Sequence, residues 1–321
     1  MHSKASSIMG NSIFVTGGSG FIGSAFLRHA LRAGSRVQVL TRSESAARRV
    51  QGQGAEPVVG DLNVPGPWQA IAAQAEVVLH LAQPETYGTK ITSRRAEQFR
   101  TQRLVMDGNL LEGLRAGAQR KLIYIAGTSY YGNQGEHFVD EETTPHPKGW
   151  GPYIAPAIEA LADYVARGLP IVQVFPAWVY GPGSWYAEYQ LQPLSRHKPL
   201  VNLRRPDPVI SLVHVDDVAR ALLHLIDHGE VGKRYFVADD RPLTGAQLAK
   251  LTAQAMHTPL HIRRLPVFVS RLAVGPIVTD SLNTEARLCN ARIKQTGFAF
   301  NFPTAEAGVP DVVAQWLAKQ Q

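Results

Sequence analysis

A glycine-rich turn near the start of the chain constrains the fold more than any other feature. Ser12–Thr16 is an apolar run that predicts a strand, a helix is predicted over 20–33, and Gly17, Gly20 and Gly23 stand where the two meet. One glycine permits the tight turn, one lets the backbone approach a pyrophosphate, and one lets the helix pack closely on the strand. The free N–H groups and the positive end of the helix would then hold the phosphates. The turn therefore predicts a dinucleotide-binding α/β fold, with a glycine-rich turn that holds no ligand as the alternative.

Short β-branched runs alternate with longer helical stretches through the first half of the chain. This alternation predicts a parallel sheet covered on both faces, and right-handed crossovers make the sheet doubly wound. We therefore predict an α/β fold of the Rossmann type. The predicted strands are 12–16, 36–41, 57–59, 77–81, 121–126 and 170–175, and the predicted helices are 20–33, 43–52, 67–75, 92–117 and 153–167.

The rhythm changes after residue 176, where proline and aromatic residues become frequent. We predict helices at 216–228, 244–256 and 305–319 and a strand at Arg234–Ala238. The chain is divided into a flexible leader (1–10), a dinucleotide-binding domain (11–176, to which 205–240 contributes) and a smaller region (177–321). Because ligands of doubly wound sheets bind at the carboxyl edge, the smaller region is expected to form the wall or lid of a substrate site.

Composition excludes several classes of protein. With 45% hydrophobic and 18% charged residues, the 321-residue chain is not intrinsically disordered, and its mean hydropathy of −0.12 without a long apolar run argues against a membrane span. The net charge of +7 suits an anionic ligand, but the basic residues are spread out, which argues against a nucleic-acid partner. The single cysteine, Cys289, cannot form an internal disulfide, so a cytoplasmic location is expected. His224 and His228 have a metal-compatible spacing but no evident third ligand, so no metal site is predicted.

Several spaced motifs resemble the short-chain dehydrogenase/reductase superfamily, in particular its extended and atypical branch of NAD(P)-dependent epimerase/dehydratase-like proteins. They are TGGSGFIG (16–23), GDL (60–62), LHLA (79–82), NLLEGLRA (109–116), VYGPG (179–183) and LVHVDDVARA (212–221). The resemblance covers residues 12 to 228 and is weaker beyond them. It is specific to the superfamily and not to one member.

The resemblance implies a set of cofactor contacts. Asp61 would bond the adenine amino group with Leu62 against the ring, although Asp61 could instead cap the turn that follows it. Arg42 ends the second strand, where an acidic residue would select NAD and an arginine would face a 2′-phosphate, so NADP(H) is preferred and NAD(H) stays open. The other implied contacts are Ser19, Gly20, Phe21 and Ile22 at the pyrophosphate and Leu81, Ala82 and Gln83 beneath the riboses.

The catalytic signature of the superfamily is broken in this chain. Reductases of this type use a Tyr-x-x-x-Lys pair, in which lysine lowers the tyrosine pKa and holds the nicotinamide ribose. Tyr153 is the candidate acid, but Ala157 stands at the lysine position, and Lys148 in a Pro/Gly-rich loop is the only nearby substitute. The expected Ser/Thr position falls on Gly127, so the neighbouring Thr128 or Ser129 would polarise a substrate carbonyl, unless both only cap the turn.

The substrate wall is predicted from aromatic residues, namely Tyr130, Tyr131, Trp178 and Trp185. Together these features predict an NADP(H)-dependent oxidoreductase acting on a small carbonyl or hydroxyl compound. A place in a biosynthetic pathway stays open. Two alternatives stay open. One is a non-redox isomerase, epimerase, cyclase or dehydratase with a bound cofactor, and the other is a non-catalytic NADP(H)-sensing regulator. A homodimer is also left open.

Overall fold

The computed structural model describes residues 11–85, 90–114, 118–203 and 207–320. The predicted leader (1–10) lies outside the described residues. Among the helices of the described segments, none combines the length and apolar character needed to cross a membrane.

The core of the molecule is a sheet of seven parallel strands in the order β12-β7-β5-β4-β1-β2-β3. The strands in the described residues are β1 (Ser12–Thr16), β2 (Arg36–Thr41), β3 (Glu56–Val59), β4 (Val77–His80), β5 (Lys121–Ile125), β6 (Phe138–Val139), β7 (Ile171–Pro176), β8 (Trp178–Tyr180), β9 (Leu200–Leu203), β10 (Val209–Ile210), β11 (Leu212–His214), β12 (Arg234–Val237), β13 (Leu243–Thr244), β14 (Ile262–Leu265) and β15 (Arg287–Leu288).

Helices cover both faces of this sheet and build the second region. They are α1 (Phe21–Arg32), α2 (Glu44–Gly52), α3 (Trp68–Gln74), α4 (Ser93–Glu112), α5 (Gly151–Ala166), α6 (Gln192–Ser195), α7 (Val215–His228), α8 (Gly245–Ala255), α9 (Val267–Val274), α10 (Pro276–Leu282), α11 (Ala291–Gln295) and α12 (Ala305–Ala318). The predicted doubly wound α/β fold is confirmed. Strand β12 forms one edge of the sheet beside β7, so the segment around residue 235 belongs to the same sheet as the first half of the chain.

The apolar strands explain why the sheet is the centre of the core. Strands β4, β5 and β7 are buried along their whole length, as strands covered on both faces must be. A second cluster of buried apolar residues lies around Tyr180, Tyr186 and Trp316 and joins β8, α8 and α12. This second cluster positions the aromatic residues that follow β7 over the carboxyl edge of the sheet.

Helix α7 has a histidine as its N-terminal cap. The imidazole Nδ1 of His214 accepts a hydrogen bond from the Asp216 backbone N–H at 3.2 Å. Asp217 is fully buried and instead accepts hydrogen bonds from the backbone N–H groups of Asn301 and Phe302, both at 2.8 Å. The acidic residue therefore fastens the C-terminal segment to α7, a long-range contact that the local sequence does not reveal.

Candidate functional site

A cleft of about 730 Å³, here called the glycine-loop cleft, runs along the carboxyl edge of the sheet beside β1, β2 and β4. Most of the residues predicted to contact a cofactor line it. They are Gly17, Ser19, Gly20, Arg42, Asp61, Leu62, Leu81, Ala82 and Gln83. The cleft has the position and the size expected for the adenosine and diphosphate half of a dinucleotide.

The glycine loop at this cleft leaves no room for side chains. Gly17 has a φ of +73°, and a Cβ there would lie 2.7 Å from the Ala82 backbone nitrogen, because β1 and β4 approach closely. A Cβ on Gly23 would lie 2.3 Å from the Gly17 carbonyl oxygen, so the start of α1 packs directly on the turn.

The start of α1 offers free donors to an anion. Gly20 caps the helix without a side-chain hydrogen bond, and the first intrahelical bond at this end runs from Ser24 N–H to the Gly20 carbonyl. The N–H groups of Phe21, Ile22 and Gly23 therefore precede the helical ladder and can bind a diphosphate. The predicted contacts Phe21, Ile22 and Gly23 are not among the residues that line the cleft, so their contribution would come from these backbone groups. The residues present fit a dinucleotide.

Arg42 projects into the cleft from the end of β2, but it does not stand alone. Its guanidinium forms an ion pair with Glu85, and both side chains are roughly half exposed. Arg49 also lines this end of the cleft, whereas Ser43 uses its hydroxyl to accept the Ala46 N–H and so caps α2. A 2′-phosphate at this end would meet two arginines and one competing carboxylate.

Asp61 lines the cleft and also fulfils the capping role that the sequence left open. One of its carboxylate oxygens accepts hydrogen bonds from the backbone N–H of Asn63 at 2.9 Å and from the Asn63 side-chain amide at 2.7 Å. Leu62 is buried, and its carbonyl accepts a hydrogen bond from the Asn109 side chain at 2.8 Å. The turn after β3 is thus held rigidly against α4, and the adenine contact of Asp61 stays a prediction.

Two further cavities continue from the cleft, and Gln83 lines all three spaces. The inner cavity, of about 280 Å³, is lined by Gln83, Pro84, Phe99, Arg103, Tyr124, Ile125, Ala126, Gly127, Ser129, Trp150, Ile154, Ala157 and Ile158. The outer cavity, of about 430 Å³, is lined by Gln83, Gly127, Thr128, Ser129, Trp150, Pro176, Ala177, Trp178, Val179, Trp185, Ile210, Ser211, Ser281, Thr284, Ala286 and Leu288. A dinucleotide that starts at the glycine loop would reach both cavities with its far end.

The candidate acid Tyr153 lines neither cavity. Its ring packs beside Trp150, at 6.2 Å between centroids, in the apolar cluster around Ile91, Ala96 and Ile277. Helix α5 begins at Gly151, so Tyr153 lies in its first turn and faces α4 and α10. Tyr153 therefore packs in this apolar cluster, and its catalytic role stays a prediction.

The lysine position gives a different result. Ala157 faces the inner cavity together with Ile154 and Ile158, one turn apart on α5. Lys148 is exposed and lines neither cavity, so it does not replace the missing side chain in the structure.

The hydroxyl group nearest both cavities belongs to Ser129. Ser129 lines the inner and the outer cavity, and Thr128 lines the outer one. A side chain at Gly127, the expected Ser/Thr position, would place its Cβ 2.9 Å from Ile154 Cδ1, so Ile154 would have to move. Within the described residues, no hydrogen bond is formed by the Ser129 hydroxyl, which leaves it available to a ligand.

Three tryptophans form the apolar wall of the outer cavity. Trp178 and Trp185 meet edge to face at 5.5 Å between centroids, and Trp150 lies on the opposite side beside the inner cavity. The Trp185 indole N–H is donated to the Val179 carbonyl at 2.8 Å, which fixes its ring. Trp178 and Trp185 both line this cavity, and their contact with a substrate stays a prediction.

The polar residues of the outer cavity are mostly engaged with the protein itself. Ser211, Ser281 and Thr284 each donate their hydroxyl hydrogen to a backbone carbonyl, at distances between 2.8 and 3.2 Å. The residues that line this cavity in the described part of the chain include no Asp, Glu, Lys, Arg or His. The cavity therefore suits a neutral, largely apolar ligand.

Tyr130 and Tyr131 are buried in the core, and the predicted pocket role is not what the structure shows. Tyr131 is fully buried, and its hydroxyl donates to the Glu141 carbonyl at 3.1 Å. Its ring meets Phe236 edge to face at 4.8 Å. The two tyrosines follow β5 in sequence, but the short 3₁₀ turn at Thr128–Tyr130 directs them back into the sheet.

Comparison with known proteins places this geometry in a family. The profile of the NAD dependent epimerase/dehydratase family matches residues 13–238. The chain belongs to this family. All residues that line the glycine-loop cleft lie within the matched range.

Two relatives with low sequence identity to this chain are named as reductases. One is the 4-hydroxy-2-methyl-3-oxo-4-farnesyl-3,4-dihydroquinoline-1-oxide ketoreductase of Stigmatella aurantiaca, 25% identical over 284 residues that cover 85% of this chain and 82% of the relative. Another is the 2-alkyl-3-oxoalkanoate reductase of Shewanella oneidensis, 23% identical over 298 residues, 86% of this chain and 73% of the relative.

Solved structures share the fold of this chain over nearly its full length. The UDP-glucose 4-epimerase of Thermotoga maritima, solved with UDP-glucose, has a TM-score of 0.80 at 22% identity and covers 96% of this chain and 99% of its own. A human epimerase family protein solved with NADPH has a TM-score of 0.76 at 19% identity and covers 94% and 99%.

A buried polar network lies beneath the site and was not foreseen from the sequence. Thr16, His80 and Tyr124 stand side by side in one row across β1, β4 and β5. The Thr16 hydroxyl is 2.6 Å from His80 Nδ1, and His80 Nε2 is 2.8 Å from the Asp107 carboxylate of α4. Burial lowers the pKa of His80, against the opposing effect of Asp107, so the imidazole is neutral.

The second half of this network is an ion pair inside the fold. Burial alone would raise the pKa of Asp107, but Arg103 and the hydrogen bond from His80 outweigh it and lower that pKa. Arg103 Nε lies 2.8 Å from the Asp107 carboxylate, and the Tyr124 hydroxyl donates to the same group. Asp107 is thus ionised and fully partnered.

One signal in the sequence could have revealed this network. Ala96, Phe99, Arg103 and Leu110 form the buried stripe of α4, and Asp107 stands four residues after Arg103 on the same face. Charged residues are almost never fully buried unless they are paired. An arginine and an aspartate inside an apolar helical stripe therefore mark a buried ion pair.

Proposed function

We propose that this protein is an NADP(H)-dependent oxidoreductase that reduces or oxidises a small carbonyl or hydroxyl compound. The observation that carries the proposal is the continuous path from the glycine-loop cleft to the two cavities, with Gln83 lining every part of it. The path is long enough to bind a dinucleotide at one end and a substrate at the other, with Ser129 exposed to both cavities.

The preference for NADP(H) rests on charge. Arg42 and Arg49 line the end of the cleft where the adenosine ribose would lie, and the ribose-binding end of β2 carries no acidic residue. A guanidinium matches a phosphate in shape and charge, whereas the 2′-hydroxyl of NAD is best held by a carboxylate. The human family member solved with NADPH is consistent with this preference.

The chain divides the chemistry between its backbone and a few side chains. Bound NADPH would supply a hydride to the substrate carbon. The N–H groups at the start of α1 bind the diphosphate, and Leu81 and Ala82 support the ribose region from β4. The Ser129 hydroxyl donates a hydrogen bond to the substrate carbonyl oxygen, where negative charge develops, and the proton that completes the alcohol comes from solvent through the outer cavity.

The walls of the outer cavity support a neutral substrate with a ring or an alkyl group. The three tryptophans offer flat apolar surface, and the hydroxyl groups of Ser211, Ser281 and Thr284 are engaged with backbone carbonyls. A nucleotide sugar would bring a diphosphate that the described lining residues do not neutralise. The name of the Stigmatella aurantiaca relative, a ketoreductase of a farnesyl-bearing dihydroquinoline-1-oxide, points the same way.

A non-redox isomerase or dehydratase is the second candidate, and the absence of a tyrosine and lysine pair from the described cavity walls favours it. The two are separated by cofactor consumption. An oxidoreductase consumes NADPH in proportion to the alcohol formed, whereas an isomerase forms product at constant NADPH. We expect proportional consumption with neutral aryl and alkyl ketones and none with UDP- or GDP-sugars.

Two substitutions test which hydroxyl group stabilises the substrate carbonyl oxygen. Replacing Ser129 with alanine removes a donor to the developing oxyanion and is expected to lower kcat by roughly 100-fold with the best ketone. Tyr153→Phe, which removes one hydroxyl from the apolar cluster, is the matched control and should leave kcat within about twofold. Loss of turnover in Tyr153→Phe with normal turnover in Ser129→Ala would overturn this assignment and return the acid role to Tyr153.

A further inference from the structure

The inner cavity lies where the missing lysine would have reached. Its walls come from three elements: the end of β5 with Gly127, helix α5 with Ala157, and helix α4 with Arg103. Gln83 connects it to the glycine-loop cleft, and Ser129 connects it to the outer cavity. In a dinucleotide bound as proposed, the nicotinamide ribose would therefore lie over this cavity.

Arg103 is the one charged side chain among the described residues that line this cavity. Its side chain is 5% exposed, and its guanidinium is held from several directions. The Nε–H faces Asp107 and Tyr124, at 3.0 and 3.1 Å. One terminal nitrogen donates to the Ala82 carbonyl at 3.2 Å and the other to the Ile125 carbonyl at 3.4 Å.

The donor count leaves capacity for a ligand. Each terminal nitrogen of an arginine carries two hydrogens, and in the described part of the chain each of these two nitrogens uses one of them. The guanidinium is planar and permanently charged, so the two remaining N–H groups have fixed directions between the ends of β4 and β5. The hydroxyl groups of a ligand bound over the inner cavity could accept hydrogen bonds from these two N–H groups, which are already oriented.

We infer that Arg103 anchors the nicotinamide ribose in place of the lysine that Ala157 replaces. This inference rests on the proposed function. The N–H groups of Arg103 bind the ribose hydroxyls, and the small Ala157 leaves the space that the ribose edge requires. Arg103 is thus a positioning residue that reaches the site from α4, on the opposite side of the cavity from α5.

Only half of the lysine's role is transferred in this arrangement. Asp107 neutralises Arg103 at 2.8 Å, so little net positive charge remains to stabilise an ionised acid. Tyr153 also lies outside the cavity. Among the described residues that line it, the one tyrosine is Tyr124, whose hydroxyl is bound to Asp107 and whose pKa is raised by burial. The geometry therefore supports ribose binding without tyrosine activation, which agrees with the role proposed for Ser129.

A merely structural role is the competing explanation, because Arg103 also ties α4 to the ends of β4 and β5. Two ligands separate the two roles. NADPH contains the nicotinamide ribose, whereas 2′,5′-ADP contains only the adenosine half with its 2′-phosphate. Loss of a ribose anchor weakens the first ligand alone, and a collapse of the site weakens both.

The experiment measures the affinity of both ligands by calorimetry for the wild type, Arg103→Met and Arg103→Lys. We expect NADPH to bind at least tenfold more weakly to both variants, and 2′,5′-ADP to bind within twofold of the wild type. Arg103→Lys keeps a cation beside Asp107 and so protects the fold if Arg103→Met does not fold. Arg100→Met, on the same helix with a side chain that is 42% exposed, is the matched control and should bind both ligands normally.

A rescue variant adds a second test. Adding Ala157→Lys to Arg103→Met returns a donor to the cavity from α5 and should recover most of the NADPH affinity. Unchanged NADPH affinity in Arg103→Met and Arg103→Lys would overturn the inference, and so would an equal loss for both ligands. If the wild type binds neither ligand, the proposed function itself fails, and that result is distinguishable from the failure of Arg103 alone.

Discussion

The glycine-loop end and the inner end of the site bind a ligand through different parts of the chain. At the glycine-loop end, the ligand surface is backbone: free N–H groups at the start of α1, and a turn in which Gly17 and Gly23 leave no room for a Cβ. At the inner end, the surface is made of side chains, with Arg103 held by Asp107 and supported by His80 and Tyr124. One end depends on conformation, and the other depends on the identity of a few residues.

This difference explains where the chain departs from its superfamily. A backbone site tolerates little change, because any side chain at its close contacts displaces main-chain atoms, and here the motif is intact. A side-chain site can be rebuilt, because a donor can approach one point in space from more than one helix. The departures at Gly127 and Ala157 are both at the inner end, where Ser129 and Arg103 offer hydroxyl and N–H groups instead.

The largest effect is expected at the glycine-loop end. Gly23→Ala places a Cβ 2.3 Å from the Gly17 carbonyl oxygen, so the turn or the helix must shift and the diphosphate donors lose their alignment. We expect NADPH affinity to fall by roughly 100-fold or more, as measured by calorimetric titration, together with a lower Tm.

The control for this change is another glycine inside a helix. A Cβ on Gly108 of α4 would meet no atom within 4 Å. Gly108→Ala should therefore bind NADPH normally and stabilise the protein by about 0.5–1 kcal/mol, the usual gain for alanine over glycine in a helix. Equal behaviour of the two variants would show that close packing does not define this end of the site.

The inner end should respond to pH in a way that the backbone end does not. The folded pKa of His80 is below its unfolded value, which is near 6.5, because the imidazole is buried. Above pH 6.5 both states hold a neutral imidazole. As the pH falls below 6.5, the unfolded chain takes up a proton and the folded protein does not, so the free energy of unfolding decreases by about 1.4 kcal/mol per pH unit.

Urea unfolding of the wild type and His80→Gln checks this sign. Glutamine keeps an N–H donor toward Asp107 but does not titrate. Between pH 6.5 and pH 5 the wild type should lose more stability than the variant, by up to about 2 kcal/mol. A parallel pH dependence in the two proteins would mean that His80 is protonated inside the fold, which is incompatible with the neutral network described above.

The smallest effect concerns the ion pair at the adenosine end. Glu85 is half exposed and competes with a 2′-phosphate for Arg42. Glu85→Gln should strengthen NADPH binding by roughly threefold, as expected for the loss of one exposed carboxylate, and leave NADH unchanged. Arg42→Ala should weaken NADPH by roughly tenfold and NADH by less than twofold. If Arg42→Ala binds both coenzymes as the wild type does, the 2′-phosphate assignment is wrong.

The regular elements and the glycine turn could be predicted because their signals are local. The predicted strands at 12–16 and 36–41 have the observed bounds, and most others differ by one residue at an end. Apolar runs bounded by turns are enough to define a buried parallel strand. The predicted helix over 92–117 ends earlier, at Glu112, and residues 115–117 lie outside the described residues.

The inner end could not be predicted because it depends on how helices are rotated against the sheet. Tyr153 has the expected spacing from Ala157, yet α5 begins at Gly151 and turns the tyrosine toward α4 and α10. The role of Arg103 does not follow from the local sequence, because it depends on Asp107 and on the carbonyls of Ala82 and Ile125 near the ends of β4 and β5. The backbone end follows from the order of the residues, and the side-chain end follows from tertiary packing.

The row of Thr16, His80 and Tyr124 also has a consequence for how the sheet assembles. Parallel strands rich in valine, leucine and isoleucine can pair in several alignments of similar apolar burial. If β4 were shifted by one residue, Leu79 would lie opposite Thr16 and the His80 imidazole would point to the other face of the sheet. The Asp107 carboxylate would then remain buried without its hydrogen bond to His80. We expect the polar row to specify the register of the strands. It raises the free energy of each mispaired sheet, even though it adds little to the stability of the correctly paired one.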